Sequence, residues 1–317
     1  MGGFGVMVEA ADLDRSLDQV RTEAAGQLEG VFGPHSVIWH VDRDAVVFLG
    51  AGRALLMQLA HPWVATAIDR HSSVLEDPIG RFHRTFEIMF TLVFGSLDQA
   101  LATAKRLHRR HAAIQGSMAE GLGPFDKGSP YWANEVSALL WVHATLVDTA
   151  LTTYDLVHPP LGSEARERYI AESRRLGALF GIPLQAHPLN GAAFARYVEA
   201  TLASDTLTVG AAARTIGARV LSGAGRVPVP LWYRDVTAAL LPDRLRVDFG
   251  LPFGDTEQRR AARALAAVRR IHPALPKRLK YVAPYQEALA RLSGRSRPDL
   301  LTRALNRLWI GRSSMPG

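Results

Sequence analysis

DPIGRFHRTFEIMFTLVFGSLDQALATAKRLHRRHAAIQG (77–116) contains the pattern that decides the fold of this chain. Asp77-Pro78 is a typical helix start, with an N-cap residue followed by proline at the first helical position, and Gly95 closes that segment. Ser96 caps a second helix, which is predicted to end near Gly116. Apolar residues recur at spacings of three and four in both segments, so the sequence predicts two successive amphipathic helices.

The same spacing of apolar residues extends through most of the 317 residues, whereas alternating strand-like runs are hard to find. After the turn-rich segment GLGPFDKGSP (121–130), a third helix is predicted from Asn134 to Val157. Later helical patterns, which prolines separate, cover residues 164–180, 190–203, 206–222, 230–241, 255–270, 282–293 and 298–308. The predicted fold class is all-α.

The composition is that of an ordinary globular protein, with 48% hydrophobic and 21% charged residues. No internal repeat, low-complexity tract or flexible linker is found, so a single domain over residues 1–317 is predicted, with the proline-rich 225–231 stretch as the only candidate seam. Cysteine is absent, which excludes disulfides, thiolate metal sites and cysteine nucleophiles.

The net charge of +7 comes mainly from arginines that are spread over many helices. Nucleic-acid binding is not expected from this pattern, whereas an anionic cofactor or a lipid surface fits it. The N-terminus has no basic leader followed by an apolar run, and the apolar stretch Ala45 to Ala67 is interrupted by polar residues and a proline. We therefore expect a cytoplasmic protein, with loose peripheral contact to the inner leaflet as one option.

Two familiar cofactor motifs fit this sequence poorly. VVFLGAGRALL (46–56) has the Gly50-x-Gly52 start of a dinucleotide loop, but Leu55 stands where the fingerprint needs glycine or alanine, and close helix packing is the alternative use of the glycines. The eleven histidines include no His-Glu-x-x-His and no Glu-x-x-His, so a metal centre made only of protein side chains is not expected.

Histidine and arginine side chains on the three middle helices are the candidate site residues. His111 falls on one apolar stripe of the second helix, so it is expected to face inward, either as a neutral hydrogen-bonded core residue or as an axial metal ligand; His108 lies near the edge of that face. His143 lies on a buried stripe of the third helix, and a hydrogen-bonded core residue is its simplest interpretation.

The first of these helices carries Arg81 and Thr85 on one face and Arg84 on an adjacent one. Two arginines next to an apolar continuation need anionic partners or a route to solvent. Haem propionates and a carboxylate substrate would both serve, and a partly exposed first turn is the alternative.

Four segments in order resemble the latex-clearing-protein and MpaB-type oxygenase family. They are LLMQLAHPWVATAIDRHSS (55–73), DPIGRFHRTFEIMFTLVFGS (77–96), RLHRRHAAIQG (106–116) and WVHATLVDTALTTY (141–154). The resemblance is strongest over about residues 35–160, and it implies a family-like core at about 35–250 with the helices of 255–308 packed on it.

This resemblance implies a globin-like helical core that holds haem b. The axial histidine of characterised relatives lies in a His-Ala-Ala segment, which matches His111, and their arginine–threonine segment that lines the haem pocket matches Arg81, Arg84 and Thr85. The arginines would neutralise propionates or orient bound oxygen, and the threonine hydroxyl could donate a hydrogen bond, so Arg84 and Thr85 are the candidate catalytic residues. His61 and His71 belong to the family pattern without an assigned role.

Two positions depart from the rubber-cleaving relatives. Gln115 stands where they have an arginine after the axial histidine, and residues 60–75 offer only Asp69 in place of their glutamate base. The implied function is therefore a haem-b-dependent oxygenase, or a peroxidase-like oxidoreductase, that uses dioxygen or peroxide on a hydrophobic small molecule, unsaturated compounds included. The alternative is a non-catalytic helical protein that binds haem or lipid.

Overall fold

The computed structural model describes residues 5–72, 77–223, 228–295 and 297–316. Within these ranges the chain forms sixteen α-helices, three 3-10 helices and one two-stranded antiparallel sheet, which confirms the all-α prediction. Helices α1 to α8 span Ala10–Glu23, Val37–Asp42, Ala51–Leu59, Pro62–His71, Pro78–Phe94, Leu97–Ala112, Val136–Val157 and Ser163–Leu179. Helices α9 to α16 span Gly191–Ala203, Ala211–Ser222, Leu231–Leu240, Asp243–Asp248, Asp255–Ile271, Lys277–Lys280, Ala283–Leu292 and Leu300–Ile310. The 3-10 helices are Ala45–Gly50, Leu184–Ala186 and His272–Ala274, and strands β1 and β2 are Gln115–Ser117 and Pro130–Trp132.

The predicted end of the second helix near Gly116 is wrong. Helix α6 ends at Ala112, and Gly116 lies in β1, where it pairs with Tyr131 of β2. The turn-rich segment between the strands brings the chain back on itself, so the backbone groups of β1 are satisfied by β2 and not by another helical turn. Helices α1, α2, α12 and α14 were not predicted, and the last three have only four to six residues, which display too little of the helical period.

Helices α5 and α6 form a hairpin with a two-residue connection. Asp77 caps α5 by accepting a hydrogen bond from the Gly80 N–H, and Ser96 and Gln99 form a reciprocal capping box at the start of α6. Only Gly95 and Ser96 lie between the helices, so the helices run antiparallel and residues at equal distances from the turn lie at the same level.

Helix α7 is the central element of the core. It contacts the Ala45–Gly50 segment, α3, α8 and α13, and buried residues occur along it from Val136 to Tyr154. The Trp141 indole N–H donates to the Met57 carbonyl of α3 at 2.9 Å. The buried Arg53 guanidinium of α3 donates to Asp148 and Thr149 of α7 at 2.7 Å each, and its Nε donates to the Leu240 carbonyl of α11 at 2.8 Å. A buried cation held this way joins the three helices without leaving an uncompensated charge.

The C-terminal helices pack on the α5–α6 hairpin. Helices α15 and α16 both contact α5, and the Trp309 ring of α16 lies 4.3 Å from the Phe48 ring centroid. The Arg291 guanidinium of α15 donates to the Phe94 carbonyl at 2.7 Å, at the last residue of α5. Helix α13 contacts α11 and α7. Residues 225–227 of the candidate seam at 225–231 lie outside the described residues.

Among the described helices, α7 is long and apolar enough to cross a membrane, although 61% of its most apolar window is buried inside the protein. The segments Ala45–Leu59 and Pro62–His71 reach that length and apolar character only when they are taken together as one broken span, which bends by 102°. The test considers length and composition alone, and core helices of soluble proteins also pass it. It is therefore weak evidence for a membrane span.

The glycines of the GAG segment allow close contact between helices. A Cβ atom at Gly50 would lie 2.2 Å from Thr149 Cγ2 and 2.7 Å from Thr153 Cγ2, both on α7, and a Cβ at Gly52 would lie 2.5 Å from Thr237 Oγ1 on α11. Residues 45–59 are helical, so no strand precedes these glycines and the dinucleotide-loop alternative is excluded.

We predict that Gly50→Ala lowers the free energy of unfolding by ~1–3 kcal/mol, because the added methyl group overpacks the contact with α7. Gly162→Ala is the matched control, since no atom lies within 4 Å of a Cβ at that position and its backbone φ of −59° suits alanine. Urea unfolding followed by circular dichroism measures both variants. Equal stability of the two would contradict the close contact.

Candidate active site

A cavity of about 250 Å³ lies between α4, the α5–α6 hairpin and α7. Apolar side chains form most of its wall, among them Ile88, Met89, Val142 and Leu146. The polar residues of the wall are Gln58, His71, Ser72, Arg81, Arg84, Thr85, Arg110 and His111. The structure therefore brings the four residues of the predicted haem pocket, Arg81, Arg84, Thr85 and His111, to one cavity.

The His111 imidazole faces this cavity from the last turn of α6. Among the described residues, no hydrogen bond to either of its ring nitrogens is found. Burial, together with the nearby charges of Arg110 and His108, lowers the pKa of His111 to about 4, so the ring is neutral at physiological pH. A neutral imidazole with a free nitrogen lone pair is the form that binds a metal ion.

Three arginines surround the same end of the cavity. Arg81 donates to Ser72 Oγ at 2.9 Å, and Arg84 lies 3.3 Å from an Asp77 carboxylate oxygen. Within the described ranges, no carboxylate lies at ion-pair distance from Arg81 or Arg110. Burial and the like charges of Arg110 and Arg84 lower the pKa of Arg81 to about 10. Among the described residues, arginines outnumber carboxylates at this end of the cavity, which suits an anionic ligand.

Thr85 lies on the same wall, one turn after Arg81. Its hydroxyl donates to the Arg81 carbonyl at 3.0 Å, so the proton is used within α5 while the oxygen lone pairs remain able to accept. Thr85 and Arg110 are both exposed, which means that the cavity reaches the surface at the arginine end.

Two further polar groups line the cavity on the side of α4. The His71 ring bonds to the Tyr131 hydroxyl at 3.0 Å, so one of its nitrogens is already used. The indole N–H of Trp63 is buried and has no hydrogen-bond partner among the described residues. A donor left free in a cavity wall could bind the polar atom of a ligand.

The other candidate histidines lie outside this cavity. His108 is buried and bonds through Nε2 to the Val8 carbonyl at 2.8 Å. His143 bonds through Nε2 to the Ser173 carbonyl at 2.8 Å, and burial lowers its pKa to about 4. His61, whose pKa is also about 4 because of burial, precedes Pro62 at the start of α4. These three rings pack in the interior and are separate from the cavity wall.

No aspartate or glutamate is found among the described residues that line the cavity. Asp69 is exposed on α4 and does not line it. Gln115 is exposed in β1 and does not line it either. The described part of the wall therefore offers arginine, histidine, threonine and indole groups, but no carboxylate that could act as a base.

Sequence reasoning missed Arg110 and Trp63. Arg110 could have been found by counting from the turn, since Arg81 is fourteen residues before Gly95 and Arg110 is fourteen residues after Ser96. In an antiparallel helical hairpin, two residues at equal distances from the turn lie at the same level and therefore close together. No comparable signal exists for Trp63, because its place in the wall depends on how α4 packs on the later helices.

The residues present fit an iron porphyrin. A free neutral imidazole, a group of arginines with few carboxylate partners and an apolar wall match the iron, the propionates and the ring of haem, respectively. His111, the arginines and the apolar side chains are separate parts of the wall of one cavity.

Residues 39–271 match the family described as the catalytic domain of the ER-bound oxygenase mpaB/B′ and rubber oxygenase. No curated protein and no solved structure matches the chain. The matched range covers well over half of the 317 residues and includes every residue that lines the cavity. The chain therefore belongs to the MpaB and rubber oxygenase catalytic-domain family.

Proposed function

We propose that this oxygenase-family protein depends on haem b and uses dioxygen to oxidise a hydrophobic small molecule, unsaturated compounds included. The observation that carries the proposal is the His111 imidazole, which is neutral, unpartnered among the described residues and directed at an arginine-rich apolar cavity. His108 and His143 each bond to a backbone carbonyl, whereas His111 faces the cavity with both ring nitrogens unpartnered among the described residues.

His111 would be the axial ligand of the haem iron in this proposal. Arg81, Arg84 and Arg110 would bind the propionates, because these arginines lie where the cavity reaches the surface. Bound haem b would supply the activation of dioxygen, which amino-acid side chains alone do not provide.

The side chains of the chain itself would bind and shield the substrate. Ile88, Met89, Val142 and Leu146 would pack against the haem ring, hold the apolar part of the substrate beside it and exclude water. The free indole N–H of Trp63 would donate to a polar atom of the substrate or product. The Thr85 hydroxyl oxygen would accept a hydrogen bond from a ligand in the cavity. The hydroxyl would also donate one to a ligand once it rotates away from the Arg81 carbonyl.

A non-catalytic protein that binds haem or lipid is the second candidate. It is favoured by one observation, the lack of a carboxylate among the described lining residues. Oxygen uptake by the purified protein with unsaturated lipids or terpenoids separates the two candidates. Uptake that depends on the substrate supports the oxygenase, and haem binding without uptake supports the binding protein.

The first prediction concerns the axial ligand. Freshly purified protein should show a Soret band, and His111→Ala should lose most of its haem or shift that band, because the iron loses its protein ligand. His35→Ala is the control, since His35 is exposed and does not line the cavity. Full haem occupancy with an unchanged Soret position in His111→Ala would exclude His111 as the ligand.

The second prediction concerns the arginines. Arg81→Ala, Arg84→Ala and Arg110→Ala should each raise the haem dissociation constant roughly tenfold or more, because a charge-assisted hydrogen bond contributes ~1.5–3 kcal/mol. Lys127→Ala, in the loop before β2, and Arg259→Ala, on exposed α13, are the controls. Transfer of haem to apomyoglobin measures the off-rates. The placement fails if all five variants release haem equally fast.

The third prediction concerns Thr85. Thr85→Val keeps the shape of the side chain but removes the hydroxyl, so haem should stay bound while the oxygenase rate falls by at most ~10²-fold. Thr22→Val is the matched control, because Thr22 is exposed and its hydroxyl also bonds to the carbonyl four residues earlier. Substrate-dependent oxygen uptake is the measurement, and an unchanged rate would leave Thr85 with a structural role only.

A further inference from the structure

A second group of ligand-type side chains lies apart from the cavity. Asp44, His158 and His272 converge so that one oxygen or nitrogen atom of each lies within 4.8 Å of the others, and none of them lines the cavity. Asp44 precedes the Ala45–Gly50 3-10 helix, His158 follows α7, and His272 begins the 3-10 helix after α13. Three separate segments of the chain therefore meet at one point.

The His158 and His272 imidazoles both approach the Asp44 carboxylate through their Nε2 atoms. His272 Nε2 lies 2.9 Å from Asp44 Oδ1, and His158 Nε2 lies 2.9 Å from Asp44 Oδ2. The Tyr154 ring stacks on His158 at 4.3 Å, which fixes the plane of that imidazole. The two imidazole rings are nearly perpendicular, at 89°.

The Asp44 carboxylate is buried, and it accepts a hydrogen bond from the Val46 backbone N–H besides contacting the two imidazoles. The Asp44 side chain is 4% exposed, and among the described residues its only ion-pair partners are the two histidines. The guanidinium of the adjacent Arg43 is engaged elsewhere, by the Tyr285 hydroxyl and His40 Nδ1. When both histidines are neutral, a buried negative charge remains, which is costly unless a cation is present.

The two Nε2–oxygen distances of 2.9 Å suit metal coordination. Bonds of about 2.0–2.1 Å to nitrogen and oxygen place the ligand atoms of one metal ion about 2.9–3.4 Å apart, for right-angled to tetrahedral geometry. Two imidazoles and one carboxylate are a ligand set typical of zinc and neighbouring divalent transition metals. The His158 side chain is 22% exposed, which leaves a side from which water can complete the coordination.

We propose that Asp44, His158 and His272 form a binding site for a divalent transition metal of the zinc type. The ion neutralises the buried carboxylate and ties together three segments that lie 114 and 228 residues apart in the chain. It thereby stabilises the fold, since the unfolded chain lacks the preformed site.

The experiment is a titration of the full-length protein, treated with chelator and then given Zn²⁺ alone. One equivalent of zinc should bind per chain, and a hundredfold excess over the dissociation constant should raise the melting temperature by roughly 5 °C or more. Co²⁺ in place of Zn²⁺ should give visible absorption bands. His158→Gln and Asp44→Asn should each weaken zinc binding at least tenfold, and circular dichroism reports whether each variant is folded.

Two variants separate this site from other histidines. His35→Gln, at an exposed position, and His111→Ala, in the cavity, should keep the zinc equivalent and the shift in melting temperature. The proposal is overturned if the wild-type protein binds no stoichiometric zinc, which would leave a histidinium–carboxylate cluster. It is also overturned if folded His158→Gln binds zinc as tightly as His35→Gln does.

Discussion

The short connection between α5 and α6 is the constraint on which the candidate active site depends. It fixes which residues of the two helices meet, and it brings Arg81 and Arg110 to the open end of the hairpin, close to His111. Like charges there oppose packing, so the hairpin must be held at its other end. There the Trp39 indole donates to the Val93 carbonyl at 2.7 Å, and Arg291 donates to the Phe94 carbonyl.

This division explains why one helix pair can be both rigid and reactive. The turn end is held by hydrogen bonds from Trp39 and Arg291, whereas the open end presents His111, Arg81 and Arg110 to the cavity. A ligand that carries negative charge would reduce the repulsion between Arg81 and its neighbouring arginines. Binding energy at such a site includes the relief of unfavourable contacts as well as new ones.

Local rules predicted most of the helices, whereas the grouping of Arg81, Arg84, Thr85 and His111 in one pocket was implied by the family resemblance. Caps, prolines and apolar spacing mark helix ends, and Arg81, Thr85 and His111 lie on helix faces that can be read from the sequence. What it could not predict depends on distant segments meeting. Trp63 joins the wall only through tertiary packing, and Asp44, His158 and His272 are separated by more than a hundred residues each, so no local spacing motif can reveal them.

The packing of α15 and α16 on α5 bears on what counts as the domain. The family match ends at residue 271, yet Trp309 and Arg291 complete the surroundings of the hairpin. A boundary drawn from similarity therefore cuts through the hydrophobic interior. The inner faces of α15 and α16 are part of the scaffold that positions the arginines of the hairpin. Substitutions in these two helices would therefore be tolerated mainly at positions that face solvent.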